Sequence, residues 1–239
     1  MSATAKLKVA LNAAVDRPVN WTFHRGGSAD LSEPVLEAVG RWMAAYHALT
    51  GAPVTKLAFE NALVQCAKAA DLHVSTPASA THPGWDLRLA GKRISCKTEA
   101  GQAMRDNALL ISKLMECAWS KPFSSREQFA ASVPRILRHL DQYDCILMLR
   151  AFRREAVTTY KLVEIPVSLL RRIEHLRPEQ FSPVTAAGST SATVRTATGQ
   201  SAFRLAFDGS DNKVQIRSLR SDLCLPLATW TVPALELSL

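Results

Sequence analysis

A carboxylate and a lysine, Asp86 and Lys97, lie eleven residues apart in the segment WDLRLAGKRISCKTE. Apolar and polar residues alternate over residues 86–89 and again over 93–98, with Ala-Gly-Lys between them, which predicts a β-hairpin. This spacing puts Asp86 and Lys97 side by side at the open end of the hairpin. A carboxylate can hold a divalent metal, and a lysine can stabilise or orient an attacking water. The pair therefore predicts a candidate site for phosphodiester hydrolysis.

The same spacing also fits an ordinary solvated hairpin with an exposed Lys97. Two features favour a site. Lys97 is flanked by Ile94 and Cys96 in a strand directed to the core, where a lysine is rarely found without a partner. Glu60 has apolar neighbours on a predicted helix, and a buried carboxylate requires a metal or another cation. An exposed helix glutamate remains the alternative reading of Glu60.

The Asp–hairpin–Lys pattern resembles the PD-(D/E)xK nuclease motif, but its second acidic residue is missing. Ser95 stands two residues before the lysine, and a hydroxyl is a poor metal ligand beside a carboxylate. Either Glu60, from the helix, or Glu99, on the strand face of Lys97, must supply the absent charge. The resemblance implies that the Cys96 carbonyl is a main-chain metal ligand.

The composition is that of a globular protein with an excess of positive charge. The chain has 239 residues, 47% of them hydrophobic and 21% charged, and its net charge is +8. No apolar run is long enough for a membrane span, and no signal peptide is recognised. Abundant arginine suits phosphate and guanine, although a basic protein need not bind nucleic acid. Five widely spaced cysteines predict small buried side chains in a reducing cytoplasm.

The periodicity predicts an α/β fold with a central mixed β-sheet flanked by helices. The hairpin of residues 85–99 is expected at the sheet centre, with the apolar run 144–152 beside it as a strand buried on both faces. A C-terminal β-hairpin is expected around Asp208-Gly209. Helices are predicted at residues 32–49, 55–70, 107–119, 125–141 and 166–175, and further strands at 158–165, 202–207 and 213–219. Residues 178–200 are expected to form a loop with at most one weak strand.

The chain resembles the SmaI family of type II restriction endonucleases from about residue 55 to about residue 230. The matching residues are Phe59-Glu60, Pro83-Gly84-x-Asp86, Lys97-Thr98-Glu99-Ala100, Ser112-Lys113-x-Met115-Glu116, Tyr143, Leu149-Arg150-x-Phe152, the LVEIPVSLL string of residues 162–170, Phe207-Asp208-Gly209 and Gln215-Ile216. The resemblance implies one restriction-endonuclease-like domain over residues 1–239. Its parts are an N-terminal helical part (1–52), a catalytic core (55–175) and a C-terminal strand and loop part (176–239), a candidate DNA-recognition element.

The resemblance also implies an activity. Such enzymes use Mg²⁺ to cut both strands of double-stranded DNA at a GC-rich palindrome, here with CCCGGG as the expected hexamer. They act as homodimers in the cytoplasm, beside a DNA methyltransferase of the same system that protects the host. Asp86 and Glu60 are the expected metal ligands with the Cys96 carbonyl, Lys97 serves the attacking water, and Glu99 is the least secure catalytic member.

Four arginines are candidates for contact with DNA: Arg153, Arg154, Arg217 and Arg220. A guanidinium matches the O6 and N7 acceptors of guanine, but each of the four could equally contact phosphates only. Two other functions stay open. One is a DNA-binding module that has lost cleavage, which the missing acid at Ser95 suggests. The other is a defence nuclease of the same fold with loose specificity.

Overall fold

Two β-sheets organise the chain in the computed structural model, which describes residues 8–9, 12, 19–24, 26–27, 31–79, 84–101, 104–154 and 157–233. The strands, in chain order, are β1 (Asn20–Phe23), β2 (Val74–Ser75), β3 (Leu87–Leu89), β4 (Lys92–Ala100), β5 (Ala108–Glu116), β6 (Cys145–Arg154), β7 (Val157–Pro166), β8 (Thr190–Arg195), β9 (Ser201–Asp208), β10 (Lys213–Arg220) and β11 (Leu225–Pro233). The helices are α1 (Glu33–Thr50), α2 (Lys56–Ala69), α3 (Arg126–Ala131), α4 (Val133–Leu140) and α5 (Val167–Leu170). A mixed α/β fold is confirmed.

The chain divides into two compact units. The first unit contains the chain up to Met104, Cys145–Glu164 and the residues from Leu225 onward, and the second contains Arg105–Asp144 and Ile165–Cys224. The predicted single domain, with parts at 1–52, 55–175 and 176–239, remains a prediction. No described helix is both long enough and apolar enough to cross a membrane.

The sheet of the first unit has seven strands in the order β1-β11-β7-β6-β4-β3-β2. Strand β6 is fourth of the seven, and its first seven residues are buried, as predicted for the run 144–152. It pairs with β4 in parallel, whereas β3 pairs with both β4 and β2 in antiparallel fashion, so the sheet is mixed. Only β4 of the predicted hairpin borders β6. The hairpin therefore lies between the centre and the β2 edge, and its predicted central position is wrong in this respect.

Helices α1 and α2 pack on this sheet and confirm the two helices predicted for residues 32–70. Val35, Val39 and Met43 of α1 share a buried core with Ile94 and Cys96 of β4. The α1 helix has Pro34 in its first turn and ends at Gly51, whose φ of 60° is easily reached by glycine. Thr55 caps α2, because its Oγ1 accepts a hydrogen bond from the Ala58 amide at 3.3 Å.

The second unit contains a four-stranded sheet in the order β5-β10-β9-β8. Strands β9 and β10 form the predicted antiparallel hairpin after residue 200, and α3 and α4 confirm helical structure within residues 125–141. The helix predicted at residues 107–119 is wrong, because residues 108–116 form β5. Strand β5 pairs with β10 through a register shift, where Val214 faces Met115 and Ile216 faces Ile111. This bulge disturbs the alternation of the strand.

Strands β1 and β11 were not predicted. Pro226 and Pro233 lie within β11, and proline cannot donate a ladder hydrogen bond. A register shift between Pro226 and Ala228 accommodates the first proline. The predicted burial of the cysteines is confirmed, since all five are buried, and none of them forms a disulfide.

Candidate active site

The β3–β4 hairpin fixes the position of Asp86. Leu87 faces Ile94 and Leu89 faces Lys92, and the turn uses positive φ angles of 47° at Ala90 and 83° at Gly91. Both values suit a two-residue hairpin turn of the primed type. Asp86 precedes β3, and its amide donates to the Ile94 carbonyl at 2.8 Å. Its side chain is therefore held beside β4, as the spacing predicted.

Two groups of β4 hold one oxygen of the Asp86 carboxylate. The Cys96 amide donates to Oδ2 at 2.6 Å, and the Ser95 hydroxyl donates to the same oxygen at 3.2 Å. Ser95 is itself 1% exposed. The residue that replaces the second acid of the motif therefore orients the first acid. Pro83, part of the matched motif, lies outside the described residues.

Helix α2 brings Glu60 to the same place through a lysine. Lys56 and Glu60 are four residues apart, so they lie on one face of the helix. The Lys56 ammonium is 2.9 Å from Glu60 Oε1 and 2.7 Å from Asp86 Oδ1. Glu60 Oε1 is buried, and the Lys56 ammonium is its ion-pair partner. Two carboxylates thus converge on one cation.

Lys97 belongs electrostatically to this group. Burial lowers the pKa of its ammonium, the Asp86 carboxylate opposes that shift, and the Lys56 ammonium adds to it. Glu60 also acts on Lys97, raising its pKa. Asp86, Lys97 and Glu60 therefore form one cluster with Lys56. The thiol of Cys96 belongs to the core, where burial raises its pKa well above the usual range. The role predicted for the Cys96 carbonyl remains a prediction.

Glu99 has a different partner. Arg150 of β6 faces it in the parallel register, and Arg150 Nε donates to Glu99 Oε2 at 2.7 Å. Arg150 is only 1% exposed, and its guanidinium also lies 5.0 Å from the centre of the Phe152 ring. Glu60 and Glu99 were the two candidates to replace the second acid of the motif. Glu60 shares the Lys56 ammonium with Asp86, whereas Glu99 pairs with the buried Arg150.

The two carboxylates suit a small, hard cation. Within the described parts of the chain, no group of three or more His, Cys, Asp or Glu side chains is placed to hold a metal ion. Mg²⁺ commonly binds through only one or two carboxylates, with waters and substrate phosphates completing its shell. The buried Oε1 of Glu60 and Oδ1 of Asp86 both face the Lys56 ammonium, so the two oxygens converge on one cation. Asp86 and Glu60 therefore fit Mg²⁺ without a third side chain.

The candidate DNA-binding arginines of the first unit lie at the end of β6. Arg153 and Arg154 are both exposed. They line an open pocket with a volume of about 590 Å³, together with Pro53, Met104 and Phe152. Arg153 Nη2 donates to the Gly51 carbonyl at 3.4 Å, next to the end of α1.

The other two candidate arginines belong to β10, in the second unit. Arg217 Nε donates to Gln215 Oε1 at 2.5 Å, and its Nη2 is 3.8 Å from Asp208 Oδ2. Arg220 binds both carboxylate oxygens of Asp222 and donates to Gln200 Oε1 at 2.5 Å. Both guanidinium groups are thus held by neighbouring side chains.

Lys56 and Arg150, the cations that contact the candidate carboxylates, had no role predicted from the sequence. The four-residue spacing of Lys56 and Glu60 was a usable signal, because it places both side chains on one helix face. No local signal links Lys56 to Asp86, thirty residues further along the chain. Arg150 was part of the family match, but its pairing with Glu99 depends on the parallel register of β4 and β6.

A mixed sheet that carries a carboxylate before one strand and a lysine on the next has the arrangement expected of a metal-dependent nuclease. The family model for SmaI, a type II site-specific deoxyribonuclease, matches residues 7–232, and the chain belongs to this family. It is 26% identical over 219 residues to the type II restriction enzyme SmaI of Serratia marcescens, covering 89% of this chain and 85% of that protein. A solved restriction endonuclease in complex with substrate DNA is 12% identical, with a TM-score of 0.35 and coverage of 76% of this chain and 72% of that one.

Proposed function

We propose that this type II restriction endonuclease depends on Mg²⁺ and cuts both strands of a GC-rich palindrome, with CCCGGG as the expected hexamer. The observation that carries the chemistry is the convergence of Asp86 and Glu60 on one ammonium, with Lys97 in the same electrostatic cluster. The hexamer is supported by the resemblance to the SmaI family, including the match at 26% identity.

Each residue of the cluster has a separate proposed role in hydrolysis. Mg²⁺ would supply Lewis-acid activation of the scissile phosphate and would lower the pKa of the attacking water. Asp86 and Glu60 would hold it, and Ser95 with the Cys96 amide keeps the Asp86 carboxylate in a fixed orientation. The partly buried Lys97 amine would accept a hydrogen bond from that water or stabilise its negative charge. The Cys96 carbonyl would complete the protein ligands.

The proposed partners follow from the substrate. A net charge of +8 favours double-stranded DNA. A palindrome cut in both strands requires one site per strand, related by a two-fold axis, which implies a homodimer. A cognate DNA methyltransferase in the same system would protect the host's own sites. The enzyme would act in the cytoplasm, and five cysteines without a disulfide agree with a reducing compartment.

A plasmid digest tests the proposal directly. The purified protein is incubated with a plasmid of known sequence, with Mg²⁺ or with EDTA. We expect discrete fragments that map to CCCGGG, only with Mg²⁺. Asp86→Ala and Lys97→Ala should each reduce the cleavage rate by at least about 100-fold and still bind the plasmid. Lys68→Ala, on the far end of α2, is the matched control and should cut normally.

The outcomes separate the alternatives. A smear of fragments would indicate a defence nuclease with loose specificity. Specific binding without cleavage in Mg²⁺ would indicate a DNA-binding protein that has lost its activity. If Lys97→Ala cleaves DNA at a near-normal rate, the proposed catalytic role of Lys97 is wrong.

A further inference from the structure

The Lys56 side chain occupies the position between the two carboxylates proposed as metal ligands. Its ammonium is 2.7 Å from Asp86 Oδ1 and 2.9 Å from Glu60 Oε1. Both distances are those of ion pairs. The ammonium is therefore shared between Asp86 and Glu60, which is the electrostatic position of a divalent cation.

Lys56 is also the most accessible member of the cluster. Its side chain is 44% exposed, compared with 18% for Asp86 and 20% for Glu60. It lies in the first turn of α2, and its four-carbon stem is flexible with a strongly hydrated end group. Lys56 can leave the cluster by rotating into water, whereas the Asp86 carboxylate is held by β4.

We infer that Lys56 is an internal counterion of the metal site, which neutralises Asp86 and Glu60 in the metal-free protein and is displaced when a divalent cation binds. The inference rests on the proposed function, because it takes these two carboxylates as the metal ligands. Lys56 is a positioning residue: it keeps the carboxylates together before the metal arrives and lowers the apparent affinity for the metal by competing with it.

The inference predicts opposite effects on the two states of the protein. Replacing Lys56 by an uncharged residue leaves two adjacent carboxylates without their shared cation, so the metal-free protein should lose thermal stability. The same change removes the competitor, so the metal should bind more tightly. Two partly exposed ion pairs correspond to a gain of about fivefold to tenfold in apparent affinity.

The experiment uses Mn²⁺ as the probe, because it prefers the same oxygen ligands as Mg²⁺ and its free ion is measured directly by electron paramagnetic resonance. Lys56→Met is compared with the wild type in the absence of DNA, and melting temperatures are recorded with EDTA and with saturating Mn²⁺. We expect the lower dissociation constant in Lys56→Met. We also expect its melting temperature to be lower than that of the wild type in EDTA and equal to it in Mn²⁺. Lys56→Gln, which keeps a polar end group, should repeat both results.

Two controls separate this inference from the proposed function. Lys68→Met removes an exposed lysine from the last turn of the same helix and should match the wild type throughout. Asp86→Ala should abolish Mn²⁺ binding. If Asp86→Ala binds Mn²⁺ like the wild type, or if neither binds it, the proposed metal site is wrong and the inference falls with it. If Asp86→Ala loses binding but both Lys56 variants bind with unchanged or weaker affinity, only the inference is overturned. An equal loss of stability in EDTA and Mn²⁺ would likewise show a merely structural role.

Discussion

The Asp86 carboxylate shows how a serine can replace the acid that the motif leads one to expect. One of its oxygens accepts hydrogen bonds from the Ser95 hydroxyl and the Cys96 amide, and the other meets the Lys56 ammonium. A second carboxylate at position 95 would repel Asp86 at this distance unless a cation lay between them. With serine there, the strand keeps a neutral donor, and we propose that Glu60 on α2 supplies the second negative charge.

Replacing Glu60 or Glu99 by alanine should affect different properties of the enzyme: the cleavage rate for Glu60 and the stability for Glu99. Glu99→Ala leaves Arg150 buried without this ion pair, and removing one partner of a buried pair costs about 3–5 kcal/mol of unfolding free energy. Glu60→Ala should cost much less stability, because its partner Lys56 is 44% exposed, but it should strongly reduce cleavage. Urea unfolding measures the first effect, and initial cleavage rates per folded molecule measure the second.

The ranking of these two variants tests the choice of metal ligand. If Glu99→Ala remains stable yet abolishes cleavage while Glu60→Ala cuts normally, the ligand roles must be exchanged. The shorter change Glu99→Asp is the matched control, because it keeps the charge opposite Arg150.

At the scale of elements, the contact of α1 with β7 should make the stability depend on pH. His47 of α1 is 4% exposed, and its Nε2 is hydrogen-bonded to the Tyr160 hydroxyl. The same hydroxyl accepts a hydrogen bond from the Val54 amide at 2.9 Å. Burial lowers the pKa of His47, and the nearby Arg153 guanidinium lowers it further. The folded protein therefore binds a proton at this site less readily than the unfolded chain does.

The sign of the effect follows from this difference. The unfolded chain takes up the extra proton as the pH falls below about 6.5, the ordinary value for histidine. The stabilising contribution of neutral His47 is present above that pH and is lost as the pH falls toward the lowered folded value. Urea unfolding between about pH 8 and about pH 5 should show this loss, and His47→Gln should flatten it. An unchanged pH profile in His47→Gln would contradict the assignment.

The elements that could be predicted from sequence are those whose pattern has one physical meaning. The nearly continuous apolar run 144–152 predicts a strand buried on both faces, and the first seven residues of β6 are buried. The spacing of Val35, Val39 and Met43 suits only a helix. Strand β5 was mistaken for a helix because Leu109, Leu110 and Leu114 have a helix-like spacing. In the strand, Leu110 is exposed, and the register shifts against β10 bury Ile111 and Leu114 together, which breaks the two-residue alternation. The hairpin pair Asp86 and Lys97 could be derived from local spacing, but the contact of Asp86 with Lys56 depends on how α2 packs against the sheet.

At the scale of the whole molecule, we expect two copies of the chain to cut one site together. Each strand of a palindrome needs its own active site, so light scattering should give twice the 26.1 kDa of one chain. Dimers with one wild-type and one Asp86→Ala subunit, purified with two different tags, should convert supercoiled plasmid to the nicked circle and then stop. Linear product at the wild-type rate from these mixed dimers would show that one subunit cuts both strands.

The last prediction concerns how the arginines divide the recognition of DNA. The guanidinium groups of Arg217 and Arg220 are held in place by side-chain acceptors on or near β10, and a fixed guanidinium plane loses less freedom on bidentate contact with guanine. Arg153 and Arg154 are exposed at a strand end, which suits phosphate contact. We expect Arg217→Ala or Arg220→Ala to lower discrimination among hexamer variants by about 5- to 150-fold, corresponding to about 1–3 kcal/mol, at one symmetric pair of positions.

Arg153→Ala and Arg154→Ala should instead weaken binding to all sequences alike and reduce the slope of log affinity against log salt by about 1. Arg41→Ala, which removes a surface charge already paired with Glu37, controls for the loss of one positive charge. Binding is measured on hexamer duplexes in Ca²⁺ or EDTA, over a series of salt concentrations, so that cleavage does not interfere. If all four variants keep full discrimination, the residues that read the bases lie elsewhere, and the loop and strand from Thr185 to Gln200 become the next place to mutate.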